Sequence, residues 1–214
     1  AKYIDYAELA ASRVELDELN AFTARKTPWY KRDPLAKREK EDYKRFMSVV
    51  GKHIVFYSER SGFYKYFQGA VEWLLANSDA CVHYVTSDPN DQVFKLHEAN
   101  PRLMPYYIGD KRLITLMMKL DCDVAVMTLD DLENFYIKRS YIRKDIEYVY
   151  AFHHMTSTHL VCTKEAFDHY DTVLCVGPHQ KAELERAGEM RDIPRRNLVE
   201  CGYDLLDRQI AAYE

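Results

Sequence analysis

The sequence predicts an α/β fold, a Rossmann-like, doubly wound and mostly parallel sheet over residues 51–214, with two helices ahead of it in residues 1–50. Three observations predict this. Short apolar runs follow one another from His53 to Gly202: "HIVFYS", "CVHYVTS", "MPYYIG", "DVAVMT", "EYVYAF", "TVLCVG" and "NLVECG". Between most of them lie helical patterns such as "YKYFQGAVEWLLANS", "KRLITLMMKL" and "KAELERAGEM". The runs are nearly continuous in apolar residues, as strands covered on both faces must be, because crossover helices bury each side of a parallel sheet.

Taken in order, residues 5–25 space Tyr6, Leu9, Leu16, Leu19 and Phe22 as a modestly amphipathic helix does, and Pro28 ends it. Asp33-Pro34 reads as an N-cap followed by a first helical residue, opening a second helix that Gly51 stops. From His53 strand and helix alternate, and the closing "GYDLLDRQIAAYE" is helix-like. A chain of 214 residues, 47% hydrophobic and 30% charged, suits one soluble domain with an appendage.

Charge and cysteines narrow the function classes. A formal net charge of -4 argues against nonspecific nucleic-acid binding, so no nucleic-acid partner is expected. Residues 25–45 hold nine Lys/Arg against four Asp/Glu, read either as a solvated linker and helix surface or as a patch for anionic lipid headgroups or a phosphorylated polymer; the interleaved signs favour the first. The five cysteines include four in or beside apolar runs and read as small buried hydrophobes in a reducing, cytoplasmic compartment. No apolar stretch approaches the roughly 20 residues that span a bilayer, and no secretory signal is seen.

Ligands of doubly wound sheets gather at the carboxyl ends of the strands. Here those ends carry Ser58-Glu59, Thr86-Ser87-Asp88, Gly109-Asp110, Thr128, His153-His154 and Gly177-Pro178-His179. The stretch 153–179 holds five of the eight histidines. They are read three ways: as strand-end side chains satisfying nearby backbone; as metal ligands, with His159 and Cys162 the tighter pair and His169 and Cys175 the looser; or as a general base. The second is disfavoured because structural zinc prefers closely spaced pairs, so no metal is expected. In the third, a neutral imidazole takes the proton of an attacking hydroxyl, and Ser157, Thr158 and the following helix start hold a phosphate. Ser58, Glu59 and Ser61 lie in the first strand–helix loop, which matches neither GxGxxG nor a Walker A loop. His179 follows a Gly-Pro helix start at the same rim, and Arg139, beside Lys138, is a candidate phosphate partner.

Five of these stretches, "IVFYSE", "DVAVMTLDDLENFYIKRS", "YVYAFHHMTSTH", "AFDHYDTVLCVGPHQ" and "GYDLLD", together resemble the CDP-glycerol:poly(glycerophosphate) glycerophosphotransferase family, the teichoic-acid primases and polymerases of bacteria. The resemblance covers roughly residues 52–206. It implies a GT-B enzyme of two Rossmann-like domains, of which this chain is the N-terminal, acceptor-side one, with the C-terminal donor domain lying outside it. It implies transfer of glycerol phosphate from CDP-glycerol, a donor substrate and not a cofactor, to a hydroxyl of a glycerol-phosphate or other cell-envelope polymer, with CMP leaving. By the resemblance the base is His153, with His154 second, and Ser157, Thr158 and His159 line the phosphate region. The family carries His-Gly-Thr there and this chain has His-His-Met-Thr, which leaves the choice between the two histidines open. The resemblance further implies a cytoplasmic enzyme at the inner face of the membrane, in peripheral contact with it. Two rival readings are a sugar-nucleotide glycosyltransferase of the same fold, since fold does not fix the donor, and a non-catalytic module that binds a polymer or partner.

Overall fold

A computed structural model describes residues 33–60, 62–130 and 132–213. The helix expected over residues 5–25 lies outside them, as does Ser61. The chain divides into two compact units, residues 1–37 and 38–214. The described part of the first is the start of α1 (Pro34–Ser48), where the Leu35 N–H donates to Asp33 Oδ1 at 2.9 Å and Pro34 supplies a preset φ.

The second unit is built on seven parallel strands: β1 (Ile54–Ser58), β2 (Val82–Thr86), β3 (Leu103–Tyr107), β4 (Val124–Met127), β5 (Glu147–Ala151), β6 (Thr172–Cys175) and β7 (Asn197–Glu200). Their spatial order is β3-β2-β1-β4-β5-β6-β7. The doubly wound α/β fold read from the sequence is therefore the observed one. Each apolar run became a strand with bounds shifted by a residue or two, β3 starting one residue ahead of its run at Leu103.

Alternation along each strand splits the core into two layers. Val55 and Tyr57 face one side with Phe46, Leu116, Met117, Tyr148, Tyr150 and Leu184. Phe56 faces the other with Tyr64, Phe67, Val71, Tyr84 and Val93. The first layer is roofed by α1, α4 (Asp110–Met118) and α6 (Pro178–Arg191), the second by α2 (Tyr64–Asn77) and α3 (Val93–Ala99). Two short helices complete the set, α5 (Thr158–Val161) and α7 (Asp204–Ala211). Among the described residues no helix is long and apolar enough to cross a membrane.

Three features hold the edges and links of the sheet. Helix α1 covers the outer edge of β3: Asp42 Oδ2 accepts the Tyr107 N–H at 2.9 Å, and Arg45 donates to the Pro105 carbonyl while lying 4.2 Å over the Tyr106 ring. Charged side chains thus take the hydrogen bonds that an open edge would offer to another chain. Among its described residues the link from β4 to β5 has no helix; Ser140 holds it down, its Oγ donating to the Leu120 carbonyl and its N–H to Tyr148 Oη. Finally, the chain leaves β7 at one edge and returns to α2, where α7 packs so closely that a Cβ on Gly69 would lie 2.6 Å from Asp204 Cγ. Arg208 fastens it to Glu72 at 2.7 Å.

Candidate functional site

The order reverses between β1 and β4: β2 and β3 lie on one side, β5 to β7 on the other. Loops diverge at such a switch point and leave a crevice outside the carboxyl ends. Register pairs Ser58 with Thr86 on the last rung of β1 and β2, and Thr128 directly follows Met127, the last residue of β4, which pairs with Tyr57 and Tyr150. All three hydroxyl residues are buried. Thr86 donates to Asp91 Oδ2 at 2.8 Å and Ser58 to the Arg60 carbonyl at 2.9 Å, so both shape their loops. Thr128 Oγ1 is buried with no hydrogen-bond partner among the described residues.

His153 and His154 follow directly on β5. The His153 ring stacks on Phe63, centroids 5.6 Å apart and planes 25° apart, and touches Tyr66 at 5.6 Å and His154 edge-on at 4.9 Å. These rings at the start of α2 hold the imidazole in one orientation. Its Nδ1 is buried and has no hydrogen-bond partner among the described residues. Burial lowers the His153 pKa below the usual imidazole value and neighbouring His154 adds to the effect, because a positive charge there would be poorly solvated and repelled. His153 is accordingly neutral at pH 7.

His154 is engaged at both nitrogens: Nδ1 meets Thr156 Oγ1 at 2.8 Å and Nε2 meets Cys162 Sγ at 4.0 Å. Burial lowers its pKa as well, opposed by the Asp130 carboxylate. The same carboxylate raises the Glu59 pKa, second to burial and against Arg60. Glu59, Asp130 and the histidine pair thus bring the ends of β1, β4 and β5 into one electrostatic neighbourhood.

Other expected residues have different occupations. Arg139 stands at the opposite end of the sheet, where β5 and β6 begin. It forks onto Asp171 at 2.9 and 3.1 Å, donates to the carbonyls of Ile146 and His169, and lies 4.4 Å over Tyr148. The expected pairing of Arg139 with phosphate beside the histidines is corrected by this placement. Thr158 is no open cradle either: its N–H and hydroxyl both donate to Glu183 Oε2 at 2.7 Å. Although burial opposes it, Glu183 is held below the ordinary carboxylate pKa by bonds from Ser157 and Thr158. A phosphate at this helix start would have to displace a carboxylate already there. His159 is exposed, and His179 donates Nε2–H to the Met155 carbonyl at 3.0 Å, tying α6 to the histidine loop. Among the described residues no cluster of three or more His, Cys, Asp or Glu could hold a metal ion.

Two organising residues escaped the sequence reading. Gln180, fully buried, donates to the carbonyls of His154 (3.1 Å) and Thr156 (3.2 Å) and accepts the Val176 N–H at 2.9 Å. Tyr203, on the segment returning from β7, donates its hydroxyl to the His153 carbonyl at 2.9 Å. A glutamine on the first turn of a polar helix gives no signal of this; the buried loop carbonyls it serves are 24 and 26 residues away. Gln180→Ala strands those carbonyls and is expected to cost about 2 kcal/mol, read as a lower urea midpoint.

No protein family, curated protein or solved structure compared with the chain matches it.

Proposed function

We propose that the site activates a hydroxyl by general-base catalysis for attack on a phosphorus centre, and that the reaction is transfer of glycerol phosphate from CDP-glycerol to an envelope polymer. The observation that carries the base is His153: neutral at pH 7, ring-locked, at the carboxyl edge beside the switch point, with an unclaimed Nδ1. A base must present a free lone pair to the proton it takes. His154 has both nitrogens occupied, which favours His153 of the two. Thr128, its hydroxyl also unclaimed on the neighbouring strand end, is the second group for a bound ligand to satisfy.

The donor and acceptor identities rest on the motif resemblance alone. In that reading this chain supplies the acceptor side, and positioning against a nucleotide-binding domain supplies much of the rate. The same geometry serves a sugar-nucleotide glycosyltransferase, whose acceptor hydroxyl needs the same base. The deciding experiment is CMP release from CDP-glycerol by the full-length gene product, with a glycerol-phosphate oligomer as acceptor. Acceptor-dependent CMP release is the expected result. Release of another nucleotide from a sugar donor would replace the reaction, and no release from any donor would leave a binding module.

A further inference from the structure

Behind the histidine loop, between α5 and α6, lies a cavity of about 420 Å³ that the hydroxyl-activating reading does not use. Its wall includes Cys162, with Phe167 and Met190 among the apolar residues and His159, Lys164, Arg186 and Arg191 among the polar ones; no carboxylate of the described residues lines it. Arg186 and Arg191 are partly neutralised by Glu189 and Asp168, at 3.0 and 2.5 Å. Lys164 is exposed and stands two residues from the thiol.

Cys162 is half-buried and its Sγ lies 4.0 Å from His154 Nε2, while Thr156 Oγ1 lies 2.8 Å from His154 Nδ1. Thiol and hydroxyl therefore flank the imidazole, one at each ring nitrogen. With Nδ1–H donated to Thr156, Nε2 turns its lone pair to the sulfur. The other groups facing His154 are the His153 ring, the Phe152 ring at 5.5 Å and the Asp130 carboxylate, which favours a protonated imidazole. Reactive cysteines sit in such half-exposed, electropositive surroundings.

We propose that Cys162 is a reactive thiol site, with His154 as its proton acceptor and the adjoining cavity admitting an anionic, low-molecular-weight disulfide. The Sγ proton passes to His154 Nε2 and the sulfur attacks one sulfur of the disulfide. The S–S bond breaks with its electron pair on the leaving sulfur, which takes the proton from His154. One mixed disulfide and one thiol result, and the incoming disulfide is the only oxidant required. The role is separate from that of His153.

The test exposes the native full-length protein to anionic glutathione disulfide and to neutral hydroxyethyl disulfide, with each cysteine followed by peptide mass spectrometry. Cys162 is expected to react with glutathione disulfide about tenfold faster than Cys81, although Cys81 is the more exposed thiol. His154→Gln should slow Cys162 about tenfold with either reagent. Lys164→Glu, a change at an exposed position that spares the fold, should slow glutathione disulfide about threefold and leave hydroxyethyl disulfide unaffected. Cys162 reacting no faster than Cys81, or as fast in folded His154→Gln as in the native protein, overturns the thiol site. Equal effects of Lys164→Glu on both reagents overturn the anionic ligand.

Discussion

Replacing His153 by alanine is expected to lower turnover by about 10²–10⁴-fold, the usual contribution of a positioned general base. The loss should fall on kcat, because the imidazole acts on a proton in flight and holds little of the substrate. Its pH signature follows from the lowered pKa. A base works in its neutral form, and burial with His154 alongside pushes the His153 pKa below the ordinary imidazole value of about 6.5. The rate should therefore climb with pH only on the acid side of that value and run flat through pH 7. A profile still rising between pH 7 and 8 would point to a different base. His154→Ala should cost less at this step, since both His154 nitrogens already have partners. Equal turnover in His153→Ala and the native protein would remove the base and leave the binding-module reading.

Arg139→Ala is expected to destabilise the fold by about 2–3 kcal/mol without a specific effect on turnover per folded molecule. The guanidinium joins Asp171, two carbonyls and the Tyr148 ring, and Asp171 in turn accepts the Tyr148 N–H at 2.8 Å. Removing it leaves a carboxylate and carbonyls unpaired at the start of β5 and β6. The cost falls below the roughly 3–5 kcal/mol of a fully buried pair because 26% of the arginine and 36% of the aspartate side chain remain in contact with water. Arg139→Lys should recover little of the loss, for an ammonium cannot span both carboxylate oxygens and stack on the ring. Urea unfolding measures both variants. An unchanged midpoint together with lost turnover would return Arg139 to the ligand.

The stability of this end of the sheet and the chemistry at the other are thus separate, and the sequence foretold one better than the other. Apolar runs such as "EYVYAF" and "TVLCVG" fixed seven strands and their parallel sense, because burial on both faces demands continuous hydrophobicity and leaves that mark locally. The same logic put His153 and His154 at a strand's carboxyl end, since they directly follow β5.

Tertiary structure decided which polar group each candidate would meet. Asp171 lies 32 residues from Arg139 in sequence, Glu183 lies 25 from Thr158, and Tyr203 lies 50 from His153. No periodicity encodes such meetings. They arise only when strand order brings distant loops to one edge, and that order was not readable. So a phosphate-type arginine became a strap at the amino end, and a helix start suited to an anion received a carboxylate from α6. What distinguishes His153 is likewise a tertiary fact: its neighbours in the sequence say only that it ends a strand, whereas packing against Phe63 and Tyr66 is what buries its Nδ1 without giving it a partner. Hydrophobic burial is written along the chain; the partner of a polar atom is settled by whichever segment the fold brings within about 3 Å of it.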